Sequence, residues 1–277
     1  MDHETREAPA KTKSIGGKLI TTGCIALAVL AAGSRFYFDT FAKDATAKNP
    51  EVEALSDAIE SLRDETVVSL ETDPEALDRF QQEHRKLLSD FRDKTSPSDS
   101  PQAFFVDFVL SYNTKAPDED AMAAEWERIM DFSTIETPAD IMERADKLRW
   151  LEEQSLAMIA WIEAFPAEFE AALALSDFSE RSQRKAKKSV VAAMALPARV
   201  EIHQLDRRMY RVINDILIHL RASWGRWTYD TESGMVLFDN DADVATLNGY
   251  FDQLDTLIAK QIAIQDDLLT MHESVGR

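Results

Sequence analysis

Asp239-Asn240-Asp241-Ala242-Asp243 places side-chain oxygens at alternate positions, the spacing with which a short loop wraps calcium. The rest of such a loop is missing. Val244 stands where glycine makes the sharp turn, and Tyr250 where a bidentate glutamate belongs. These residues read better as a helix start, with Asp241 or Asp243 as the cap that favours its positive end. Asp239, Asp241 and Asp243 remain the weak metal candidates, and no cofactor is expected.

The five histidines are His3, His84, His203, His219 and His272. His203 and His219 lie sixteen residues apart on one predicted helix, which puts them on nearly opposite faces. No Glu-x-x-His occurs, so the di-iron bundle signature is missing. His272-Glu273 lacks the second histidine of a zinc-protease helix. All five read as surface or packing residues. There is no Gly-x-Ser-x-Gly, and with fifty acidic residues neighbouring carboxylates arise by chance. No catalytic residue is assigned.

Two clusters suit recognition. Trp224, Arg226, Trp227 and Tyr229 combine aromatics with an arginine, the residue types that anchor contacts between proteins. The plainer reading is that they staple a hairpin to a bundle. Arg181, Arg184, Lys185, Lys187 and Lys188 form the basic cluster of the body, with 181, 184, 185 and 188 on one helical face. It suits an anionic lipid, a glycan phosphate or an acidic partner. The plainer reading is pairing with the chain's own carboxylates.

Helices must position these groups. All eight glycines lie outside residues 34–224, being Gly16, Gly17, Gly23, Gly33, Gly225, Gly234, Gly249 and Gly276. Phosphate-cradling loops need glycine, so a Walker loop and a dinucleotide fingerprint are excluded across that stretch. The spacing predicts a mainly all-α fold. Asn49-Pro50 starts a first body helix, and Thr72 with Glu75 makes a capping box for the next. The Ser/Pro-rich run Thr95–Pro101 reads as a linker.

Further helices cover Phe104–Tyr112 and the stretch around Trp126, Ile129 and Met130. A long one begins at Thr137-Pro138, with Ile141, Met142, Ala145, Leu148, Leu151, Ile159 and Ile162 facing inward and Pro166 ending or kinking it. Another runs from about Pro166 to Leu196, and one more over 198–224. Residues 226–238 read as a small β-hairpin. The last helix carries a wide apolar face in which Gln261 is the one amide among the residues spaced three and four apart.

Before this body lies an uncharged, mostly apolar run over residues 19–34, bounded by Lys18 and Arg35. Sixteen helical residues span about 24 Å, short of the roughly 30 Å hydrocarbon core. Flanking cations that snorkel, and Phe36, Tyr37 and Phe38 at the interface, extend it to a span. Segment 15–38 is expected to be an uncleaved transmembrane signal anchor. A cleaved signal peptide ending at Ala31-Ala32-Gly33, or lipidation of Cys24, are the alternatives. Four Lys/Arg precede the run and three follow closely, which leans toward the N-terminus inside.

The formal net charge is −19, and residues 1–33 contribute +1, so the remainder carries −20. Such a body is expected to repel nucleic acid and anionic lipid head groups rather than seek them. Cys24 is the only cysteine, which excludes an internal disulfide or a cysteine zinc site in the body.

Pro101–Asn113, with its Phe105-Val-Asp107-Phe108 core, and Gly225–Gly234 with Phe238–Asn248 resemble an uncharacterised family of bacterial envelope lipoproteins, the YiaF-like group. The resemblance covers under a fifth of the chain. It implies an envelope location and a helical body, and no activity. The chain departs from that pattern in the apolar run after Cys24 and has no counterpart over 40–95.

The expected organisation is a polar tail over 1–14, the anchor over 15–38, a helical pair over 39–95, and a main bundle over 102–277 with its hairpin at 226–238. The expected role is non-enzymatic: a single-pass inner-membrane protein whose body faces the periplasm and engages another envelope protein. The alternative is a ligand-sensing bundle acting through a partner; an enzyme with an unrecognised site ranks last.

Overall fold

The computed structural model describes residues 10–11, 50–69, 76–96 and 100–275. The anchor segment 15–38 with Cys24, most of the polar tail, Asn49 and the Thr72–Glu75 box lie outside the described residues. Among the described residues no helix is long and apolar enough to cross a membrane.

The protein is mainly helical, with one small antiparallel sheet. The helices are α1 (Pro50–Ser69), α2 (Ala76–Lys94), α3 (Pro101–Asn113), α4 (Glu119–Met130), α5 (Pro138–Ala174), α6 (Glu180–Ala193), α7 (Leu196–Ala222) and α8 (Asp241–Val275), with a short 3-10 turn at Phe132–Thr134. Strands β2 (Trp227–Asp230) and β3 (Met235–Phe238) form the expected hairpin, pairing Trp227 with Phe238 and Asp230 with Met235. A two-residue strand β1 (Ala10–Lys11) pairs with the other edge of β3. This strand falls within residues 1–14, for which the sequence predicts only a polar tail.

Helix starts follow local chemistry. Ser100 caps α3, accepting from Ala103 N at 3.1 Å, with Pro101 in the first turn. Asp118 caps α4 through Ala121 N at 2.9 Å. At α5, Thr137 Oγ1 accepts from Asp140 N at 3.3 Å while Asp140 Oδ2 accepts from Thr137 N at 2.6 Å, a reciprocal cap. The backbone N–H groups of Thr137 and Glu136, both donating to Asp140 Oδ2, hold the Asp140 carboxyl below its ordinary range.

One expectation about proline fails. Pro166 does not end α5, which runs through it to Ala174. Proline removes one backbone donor, but Phe165, Phe169 and Leu173 around it are 2%, 0% and 3% exposed, and their burial outweighs the lost bond. The break comes at residues 175–179, where Ser176 Oγ takes the Leu173 carbonyl and Ser179 caps α6. At the second proline, Ala195 adopts φ +45 between α6 and α7, and Pro197 sits in the first turn of α7. Met142, expected to face inward, is 49% exposed, because the buried stripe of α5 passes through Ile141.

The chain divides into two compact units that interleave along the sequence. One comprises Pro117–Ala157 and Ile202–Ala263 together with the segment that includes β1. Its core gathers Ile129, Phe132, Ile141, Leu151, Ile213, Leu220, Phe238 and Leu247, all 2% exposed or less. The other comprises the segment ending at Ala116, with Met158–Glu201 and the stretch from Ile264. Here Leu55 and Ile59 of α1 meet Phe80, Leu88 and Phe91 of α2 and Val106 of α3. A second cluster in this unit is aromatic: Phe108 lies 5.1 Å from Phe169 and Tyr112 stacks on Trp161 at 5.0 Å. The Tyr112 hydroxyl donates to the Trp161 carbonyl. Burial pushes that phenol up to about 12.

Candidate functional site

The corner at the end of α7 is built in four residues. Ser223, fully buried, returns its hydroxyl to the His219 carbonyl at 2.7 Å. Gly225 takes φ +80, a conformation that favours glycine. Arg226 N then donates to Ser223 O at 2.9 Å, and β2 begins. Trp227 turns inward: its Nε1 donates to Leu220 O at 2.8 Å and its ring packs on the core. Tyr229 also packs there. Trp224 stands edge-on to Trp227 at 5.4 Å and stays 37% exposed.

Arg226 faces Asp243, with Nη1 3.3 Å from Oδ2. Asp243 also accepts from Asn240 Nδ2 at 2.6 Å, while Asn240 Oδ1 accepts from Asp243 N at 2.9 Å. Asn240 is therefore the cap of α8, where the sequence reading chose Asp241 or Asp243. The reason is reach: the cap must precede the first helical residue, Asp241. His219 Nε2 lies 3.2 Å from the Asp243 carbonyl, and its ring packs 5.5 Å from Phe238. The Asp243 carboxylate is thus occupied by the protein itself. Asp239 and Asp241 point to solvent, and among the described residues no three His, Cys, Asp or Glu groups converge to hold a metal.

A second polar assembly lies inside the same unit, and the sequence reading missed most of it. Glu152 of α5 accepts from Arg211 Nη2 at 2.7 Å and Arg207 Nη2 at 3.1 Å. Those bonds hold its carboxyl low, Arg211 contributing most. On α7, His203 Nδ1 is 3.2 Å from Asp206 Oδ2, and Gln261 of α8, 1% exposed, donates to Asp206 Oδ1 at 3.0 Å. The Tyr210 phenol is raised by burial and by Asp206. Ser155 lies close enough to Tyr210 to favour its ionised form slightly, yet its fully buried Oγ makes no hydrogen bond of acceptable geometry. Gln261 Oε1 is likewise buried without a partner. Gln261 was legible as the amide in an apolar stripe. Ser155 carried the same signal on α5, three and four residues from Met158 and Leu151, and went unread.

The basic cluster divides. Arg184 pairs with Glu180 at 3.6 Å and Lys187 pairs with Glu170, as the plainer reading expected. No family model matches the chain, and neither a curated protein nor a solved structure matches it.

Proposed function

We propose that this chain is a membrane-tethered bacterial envelope protein, non-enzymatic, whose helical body engages a protein partner through the corner at Trp224 and Arg226. One observation carries the reading. Trp224 is held out edge-on to a half-buried neighbour, Trp227, beside a half-exposed arginine oriented by Asp243. A rigid aromatic with a placed guanidinium loses little freedom on binding. Substituting Trp224 and Arg226 with alanine should weaken in-cell crosslinking to the partner several-fold and leave the melting temperature unchanged. Unaltered crosslinking would sink the reading. Trp227 makes a poor test, because its indole is a structural strut.

A specific observation also favours the sensor reading, a small polar ligand in the bundle. Ser155 Oγ and Gln261 Oε1 are buried acceptors without partners, and such groups cost free energy unless something satisfies them. A thermal-shift screen of the full chain against ions and polar metabolites tests it. A ligand at a hundred times its Kd should add about 2.7 kcal/mol.

The tether itself rests on the sequence of 15–38 and on the resemblance to envelope lipoproteins. A single span there and the β1–β3 pairing exclude each other, since the span puts Ala10 and Lys11 across the bilayer from Leu237 and Phe238. In the tethered protein proposed here the span takes precedence, and β1 is released. In spheroplasts, a tag ahead of residue 10 should resist external protease while the body is cut.

A further inference from the structure

We infer that the outer face of α6, with the turn that leads into it, docks on an anionic phospholipid bilayer; this rests on the tether reading above. Residues 175–190 hold five cations and two carboxylates in a chain whose net charge is −19. At about 100° per residue, Arg181, Arg184, Lys185 and Lys188 share one sector of α6. Ala186 and Val190, 1% and 0% exposed, mark the opposite, inward face. The protein neutralises only part of this charge. Arg184 and Lys187 have carboxylate partners, whereas Arg181 and Lys188 pair with no described carboxylate. In a body with so many acidic groups, cations left over on one face are available to something else.

The turn supplies the second half of the argument. Leu175 is 89% exposed, more than any other large apolar side chain among the described residues. It is held there. Leu175 N donates to Ala172 O at 3.1 Å, Phe178 packs edge-on to Phe104 at 5.7 Å, and Gln183 Nε2 donates to Phe178 O at 3.0 Å. An apolar side chain fixed in water next to a cationic helix suits the boundary between acyl chains and headgroup phosphates. An acidic protein would use the cations and leave Leu175 without a role, which is why the bilayer is the chosen occupant. The rest of the body repels such a surface, but charges beyond about 8 Å are screened at physiological ionic strength. Local cations therefore decide the contact.

The test uses the full chain with Cys24→Ser and Leu175→Cys, labelled at residue 175 with an environment-sensitive fluorophore. Flotation with phosphatidylcholine vesicles first reports the tether alone. Replacing about 30% of the lipid with phosphatidylglycerol should then raise emission roughly twofold. The rise should vanish in about 0.5 M salt and in the Arg181→Glu, Lys188→Glu double variant, whose exposed positions spare the fold. Equal emission on neutral and anionic vesicles overturns the proposal. So does a response that appears only when polyglutamate is added, which would assign the face to an acidic protein. A chain that does not float refutes the tether, and the same comparison with vesicles added to the free chain still decides the face.

Discussion

His84 shows how one residue ties stability to pH. It stacks on Phe80 at 5.8 Å on α2, and its Nε2 is buried without a partner. Burial, with a smaller push from Arg85, lowers it from 6.5 to about 4. The unfolded chain therefore takes up the proton first. Its stabilising effect is complete above pH 6.5 and is lost as pH falls through 4, by at most about 3 kcal/mol. The urea midpoint should drop between pH 7 and 4.5, and His84→Leu should flatten that drop. Arg144 poses the opposite case. It is 7% exposed and donates to the Arg128 and Ile129 carbonyls at the end of α4 and to Thr134 Oγ1. Burial lowers its pKa, yet it stays charged and completes the helix terminus. Arg144→Ala strands these acceptors and should cost about 2–4 kcal/mol in denaturant titration. Ser155→Ala separates the readings of the polar assembly. In a dry core it removes an unsatisfied hydroxyl and should leave stability equal or higher by up to about 1 kcal/mol. A loss of similar size would mean that the hydroxyl is used.

At the scale of elements, the α6–α7 junction carries the clearest strain. Ala195 adopts φ +45, a left-handed conformation that costs a residue with a Cβ about 1 kcal/mol. Ala195→Gly should therefore raise the melting temperature by a few degrees. No charge or cavity changes with it, so a fall in stability would place the strain elsewhere. The hairpin depends on its strut in the same way. Four-residue strands are marginal alone, so β2 and β3 persist because Trp227, Val236 and Phe238 pack on helices. Trp227→Phe keeps the apolar ring and loses the bond to Leu220 O, and should cost about 1 kcal/mol.

At the scale of the whole molecule, charge dominates. A net −19 destabilises a compact chain by self-repulsion, which salt screens. Raising sodium chloride from low to moderate concentration should increase the melting temperature. Surface pairs such as Lys115–Glu168 pull the other way, but each is worth under about 1 kcal/mol.

The helices and the hairpin were legible in the sequence, because apolar spacing, caps and the absence of glycine over 34–224 are local facts. So were the corner residues Trp224, Arg226, Trp227 and Tyr229 as a group. Which of them faces solvent was not, since that depends on where Leu220 O and Asp243 lie in space. Pro166 misled for the same reason: a local break was outweighed by aromatic burial that only distant residues supply. Ser155, His203, Asp206 and Gln261 stand on three helices separated by up to about a hundred residues. Ser155 and Gln261 stand out as polar positions in apolar stripes, but no local pattern shows that they meet His203 and Asp206 when helices pack. Sequence determined which segments are helical and which faces are apolar; tertiary structure alone decided which faces meet and which polar groups they enclose.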